Sequence, residues 1–186
     1  SNEIKRLFRN ENGPFYDTGT DGEVLLTRNA EGYDGVEPSG NSSVANAFLR
    51  LNSYGLESEF FEDAQRVFRC FSPMFNQAGV SFCSMLSGLH FSLSGPKEVV
   101  ISGRRGDAET EALLSEVRRE FHPNTVTAFL EDGNSKLTEE IIPLASGRPM
   151  LNGRATAYVC QNQACRLPVH KVEELRELLD SSYFQN

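Results

Sequence analysis

An α+β fold, helical in its first half and α/β in its second, is predicted by three observations on this 186-residue chain. Apolar residues recur at helical spacing in three successive stretches between Ser43 and Leu93. Gly95-Pro96 then breaks the pattern, and short β-branched and aromatic runs alternate with amphipathic stretches beyond it. Two units are expected, residues 1–94 with a long loop at 11–42, and residues 95–186 with a short, partly parallel sheet.

The chain starts inside a charged, helix-like segment and without Met, so a fragment of a longer protein is expected. Residues 11–32 are rich in Gly, Asn, Asp and Thr, with one alternating run, Glu23 to Arg28, that predicts a strand of a small hairpin. The first long helix is expected from Ser43, with Val44, Ala47, Phe48 and Leu51 on its apolar face and a stop at Asn52-Ser53-Tyr54-Gly55. Phe60, Phe61, Ala64, Val67, Phe68 and Phe71 mark a second, interrupted by Ser72-Pro73. Ala78, Phe82, Met85, Leu86, Leu89 and Leu93 mark a third. Three helices cannot bury stripes this wide, so self-association of the isolated chain through residues 43–93 is expected.

In the second half, Glu98 to Ser102 reads as a buried strand, Asp107 as the cap of a helix bearing Leu113, Leu114, Val117 and Phe121, and Thr125 to Leu130 as a second strand. Strand, helix and strand in that order imply a parallel pair with a right-handed crossover. Ala155 to Cys160 is a third strand, and Val172, Leu175, Leu178 and Leu179 mark a closing helix. Gly103-Arg104-Arg105-Gly106-Asp107 stands where phosphate loops occur, but Asp107, Glu109 and Glu111 place negative charge in the first helical turn and oppose an anion. No cofactor is expected.

The net charge of −8 arises from excess acid in both halves, ten acidic against five basic residues in 1–60 and fourteen against eleven in 94–186, which argues against nucleic acid as a partner. No apolar run reaches the ~18 residues that span a bilayer, and no basic-then-apolar leader opens the chain, so no membrane partner is expected and cytoplasm is the default compartment. Cys70 and Cys83 fall on apolar faces and read as buried free thiols. Cys160, Cys165 and His170 offer three metal ligands, but their spacing matches no standard zinc pattern and no metal is expected. A disulfide or redox role for Cys160 and Cys165 is open on spacing, without a Cys-x-x-Cys motif to support it.

The segment Tyr33 to Ser42 carries the densest polar chemistry. Asp34-Gly35 is a turn dipeptide, Pro38 holds Glu37 extended, and Ser39, Asn41 or Ser42 can cap the helix that follows. The plain reading is a polar loop and cap. The functional reading puts Asp34, Glu37 and Asn41 at the mouth of a helical cavity. Spacing leaves a carboxylate pair for acid and base work on a sugar open among Asp17, Asp21, Asp34 and Glu37, with Asp34 and Glu37 the catalytic candidates and Tyr33, Ser39, Asn41, Asp17 and His90 the ligand-binding ones.

Asp34 to Ser42, Pro96 to Gly103, Phe121-His122-Pro123-Asn124 and Ala157 to Val169 together resemble the spermatogenesis-associated protein 20 family, in the family's order. The resemblance implies a C-terminal region of a protein with an N-terminal thioredoxin-like domain, a barrel of paired helices similar to six-hairpin glycosidases and N-acylglucosamine 2-epimerases, and an α/β tail. Residues 1–94 would then be the last hairpins of an (α/α) barrel and Asp34 to Ser42 part of its mouth. The implied ligand is carbohydrate-like, and any enzymatic activity would be glycosidase- or epimerase-like and belong to the full-length protein. Family members commonly carry Asp where this chain has His90. The alternative from a different class is a non-catalytic scaffold that docks the thioredoxin-like domain or a client protein.

Overall fold

A computed structural model describes residues 2–11 and 13–181, and the fold is α+β. Two compact units divide the chain: residues up to Asn52 with Glu57–Leu93, and Ser53–Leu56 with the chain from Ser94 onward.

The first unit contains helices α1 (Asn2–Phe8), α2 (Gly40–Ser53), α3 (Glu59–Ala78) and α4 (Cys83–Leu93), the last preceded by a 3₁₀ turn at Gly79–Phe82. Helix α2 starts three residues before the expected Ser43, because Ser39 caps it: the Ser39 hydroxyl accepts from the Ser42 N–H at 3.1 Å. The buried face is also turned from the expected one. Ala45, Phe48 and Leu49 are buried together with Asn41 and Ser42, whereas Ala47 is exposed. Helix α3 runs through Pro73 instead of ending there. Packing accounts for this, since the Phe71 and Phe75 rings on either side of the proline both stack near Phe82, with centroids 6.2 and 5.4 Å away. The strand expected at Glu23 to Arg28 does not form: no strand among the described residues pairs with it, and Val24 and Leu26 are fully exposed. Cys70 and Cys83 are free but exposed, not buried. Helix α3 turns Phe68 and Phe71 inward instead, and α4 turns Met85 inward.

The second unit is built on a sheet of β1 (Lys97–Gly103), β2 (Thr125–Glu131), β3 (Thr156–Gln161) and β4 (Ala164–Cys165), in the order β2-β1-β3-β4. The expected parallel pair is β1 with β2, in register from Lys97 opposite Thr125 to Gly103 opposite Glu131, while β3 runs antiparallel to β1. Helices α5 (Ala108–Arg119) and α7 (Val172–Asp180) bury Leu113, Leu114, Leu175 and Leu179 against Val99, Ile101, Ala157 and Val159, the alternate residues of one sheet face. Across the sheet lie Val100, Ala128 and Leu130, near α6 (Ser135–Ile141) and a 3₁₀ turn at Pro143–Ala145 that buries Leu144 and Ala145. No helix among the described residues is long and apolar enough to cross a membrane.

Candidate functional site

Asp34 is positioned by its own backbone, whose N–H donates to Ser81 O at 2.7 Å. One carboxylate oxygen accepts from the Ser39 N–H at 2.9 Å, at the start of α2, and the other from the Ser84 and Met85 N–H groups at 2.9 and 3.2 Å, in the first turn of α4. A single carboxylate therefore caps two helix N-termini, where backbone donors and helix dipoles favour negative charge. Burial works to raise its pKa, but the donors of Ser39, Ser42, Met85 and Ser84 outweigh burial and hold the group below its ordinary value. Glu37 is exposed on the same loop. Both oxygens of Asp34 are engaged by backbone donors, whereas Glu37 is exposed.

Asn41 is also committed. Its side-chain oxygen accepts from the Phe15 N–H at 2.8 Å, and its amide nitrogen donates to Phe15 O and Glu31 O, both at 2.9 Å, at a site 1% exposed. Three of its four hydrogen-bonding positions are thus filled by backbone of the preceding segment. Arg28 adds to this anchoring, donating to Leu7 O at 3.0 Å and to Thr18 O, with its guanidinium 4.2 Å from the Tyr16 ring centroid. The Ser39 hydroxyl is buried in its cap. Asp17 accepts from the Glu31 N–H at 3.1 Å. It lines a groove of about 330 Å³ with Phe8, Phe15, Tyr16, Asn41 and Val44. Tyr33, 57% exposed, lines a different groove of about 570 Å³ with Glu31, Phe71, Met74, Gln77 and Phe82. His90 is exposed and outside both linings. His90 apart, the predicted site residues lie on the loop, at the start of α2 and along two separate grooves, not in one cavity.

In the second unit the Gly103 to Asp107 loop is closed to an anion by its own side chains: Thr110 Oγ1 accepts from the Arg104 N–H at 3.1 Å and Glu111 from the Gly106 N–H at 3.1 Å. Asp107 holds the N-cap position without a side-chain cap bond to the helix backbone. Cys160 and Cys165 are joined in a disulfide and His170 Nδ1 lies 2.8 Å from Ala155 O, so the Cys-Cys-His ligand set does not form. Sequence reasoning missed Arg148, whose guanidinium reaches both sulfurs at 3.4 and 3.7 Å. It also missed Glu120, His122 and Asp180, which bring one donor atom each within 4.8 Å of one another at the surface. Lys97 lines the same groove as His122 and Asp180 and opposes a cation there.

Comparison with known proteins agrees with the motifs. The chain is 32% identical to human spermatogenesis-associated protein 20 over 158 residues, which is 85% of this chain and 20% of the human protein. Over that segment the chain is a homologue of spermatogenesis-associated protein 20. The rat family member is 30% identical over 179 residues, covering 94% of this chain and 22% of the rat protein. An uncharacterised Caenorhabditis elegans protein is 31% identical over 180 residues, covering 93% and 23%. The chain therefore spans about a fifth of the length of the curated relatives it matches. No family model and no solved structure matches it.

Proposed function

We propose that this chain is the C-terminal region of a cytoplasmic, multidomain spermatogenesis-associated protein 20 relative, in which α1 to α4 complete an (α/α) barrel that binds a carbohydrate-like ligand. The observation that carries the reading is the loop from Phe15 to Ser39, pinned by Asp34, Asn41 and Arg28, which sets Tyr33 and Asp17 in aromatic-lined grooves and leaves Glu37 exposed on the same loop. Aromatic faces with a few carboxylates suit a polyol, whose CH faces stack and whose hydroxyls donate. Glu37 is the open carboxylate and Asp34 the group that fixes the loop. The test is ligand-detected NMR of the full-length protein against a panel of neutral and N-acetylated monosaccharides. Binding that weakens at least tenfold in Tyr33→Ala and Glu37→Gln supports the reading; binding unchanged in both, or none across the panel, overturns it.

Exposed Phe121 and Leu167 on the second unit favour a second reading, a scaffold that docks the thioredoxin-like domain or a client protein. It gains if Phe121→Ser and Leu167→Ser abolish a function of the full-length protein that Glu37→Gln leaves intact. The isolated chain also exposes Phe61, Met74, Val80 and Leu93 in its helical unit, and self-association through that unit is the expected state. A strictly monomeric species in light scattering at high concentration would contradict it.

A further inference from the structure

Cys160 and Cys165 face each other across the β3–β4 hairpin, with Gln161 opposite Ala164 and Asn162 and Gln163 forming the two-residue turn at φ 50° and 63°. The Arg166 N–H bonds to Val159 O, so the cysteines form a non-hydrogen-bonded pair, the position where side chains of adjacent strands come closest. The two sulfurs differ in access: Cys160 is 2% exposed, whereas Cys165 is open to solvent on the short edge strand.

Arg148 is held over this pair. Its backbone O accepts from the Ser102 hydroxyl, the neighbouring Pro149 O accepts from the Tyr158 hydroxyl at 2.6 Å, and its guanidinium donates to Leu144 O as well as to both sulfurs. Glu98 stands opposite Cys160 on β1, continuing the same cross-strand row. Burial pushes its carboxyl up, with the charge of Arg148 opposing. A cation held 3.4 Å from a buried sulfur is placed to stabilise a departing thiolate.

We propose that Cys160–Cys165 is a thiol–disulfide exchange site that takes a dithiol reductant at Cys165, with Arg148 stabilising Cys160 as the leaving thiolate. A thiolate of the reductant attacks Cys165 Sγ, forming a new S–S bond as the Cys160–Cys165 bond breaks and its electron pair passes to Cys160. The second thiol of the reductant then attacks its own sulfur in the mixed disulfide and releases Cys165. The reductant leaves as a disulfide, and its two protons end on Cys160 and Cys165. The site extends beyond the carbohydrate reading and does not depend on it.

The test uses the 186-residue chain, folded as judged by circular dichroism, with peptide mapping to separate these sulfurs from Cys70 and Cys83. Dithiothreitol should open the disulfide without unfolding, and glutathione should leave its adduct on Cys165. Arg148→Gln should slow opening about threefold to tenfold, Arg148→Lys should restore most of the rate, and Arg166→Gln should leave it unchanged. A disulfide that opens only once urea unfolds the chain, an adduct on Cys160, or equal rates in wild type and Arg148→Gln would overturn the proposal.

Discussion

In the unit built from α1 to α4, the segment from Phe15 to Ser39 has no strand, and single side chains meet many of its backbone polar groups. In the sheet unit the corresponding groups meet each other, residue by residue, along β1, β2 and β3. The first arrangement concentrates loop geometry in Asn41, Asp34 and Arg28; the second spreads it over a ladder in which no one side chain is decisive. A loop held by few side chains can carry varied residues between its anchors, so the anchors, not the loop surface, are where the helical unit is vulnerable.

The sharpest way to break that contrast is Asn41→Ala, which leaves Phe15 N–H and the Phe15 and Glu31 carbonyls without their buried partner. A loss of about 3 kcal/mol is expected from urea unfolding of the helical unit. Asp34→Ala removes caps from two helices and should lose about 2 kcal/mol, with faster hydrogen exchange in the first turns of α2 and α4. In the sheet unit Glu116 links α5 to α7: its carboxylate accepts from Arg176 at 2.9 Å through each oxygen and from Arg119 at 2.9 Å. The Arg176 hydrogen bonds lead in lowering its pKa from 4.5 to about 2, against the opposing effect of burial and with help from Arg119. Because the folded value is depressed, the contribution is present above the ordinary value of 4.5 and is lost as pH falls from there through about 2. Glu116→Gln should lose only about 1 kcal/mol at neutral pH, since both guanidinium groups are half in water, and should flatten that part of the acid transition. Salt separates the two carboxylates: near 1 M it should weaken the Glu116 contribution and spare that of Asp34, whose partners include neutral backbone N–H groups. Smallest of all, Arg104→Ala breaks an exposed pair with Asp132 and should change stability by less than about 0.5 kcal/mol.

The sheet unit was the more legible of the two because apolar period and burial coincide there. Val99, Ile101, Leu113 and Leu175 each lie where their pattern places them. Helix α6 escaped because Leu137 and Ile141 are both exposed and leave no stripe to read. The turned face of α2 escaped for the opposite reason: Asn41 and Ser42 are polar yet buried, and only the distant backbone they bond explains why. Local chemistry predicts an interruption at Pro73, whereas the aromatic packing that carries α3 through it is tertiary. Asp34 stood out as a carboxylate in a turn, but sequence cannot tell an oxygen that awaits a ligand from one that accepts backbone N–H groups. Arg148 lies twelve residues from Cys160 in no motif, and nothing short of the folded sheet brings them together. Asn162 was an available signal, since Asn tolerates a positive φ in the turn of a two-residue hairpin.

That turn also fixes an arithmetic. Side chains alternate faces with each step along a strand, so the two sulfurs meet only because Asn162 and Gln163, and nothing more, lie between the paired residues Gln161 and Ala164. One residue inserted there would carry the second cysteine to the reverse of the sheet, away from the guanidinium, with every amino acid of the original pair still present. The separation of five positions between Cys160 and Cys165 is therefore part of the chemistry, and relatives that keep both cysteines at another separation would need a different turn to bring them together.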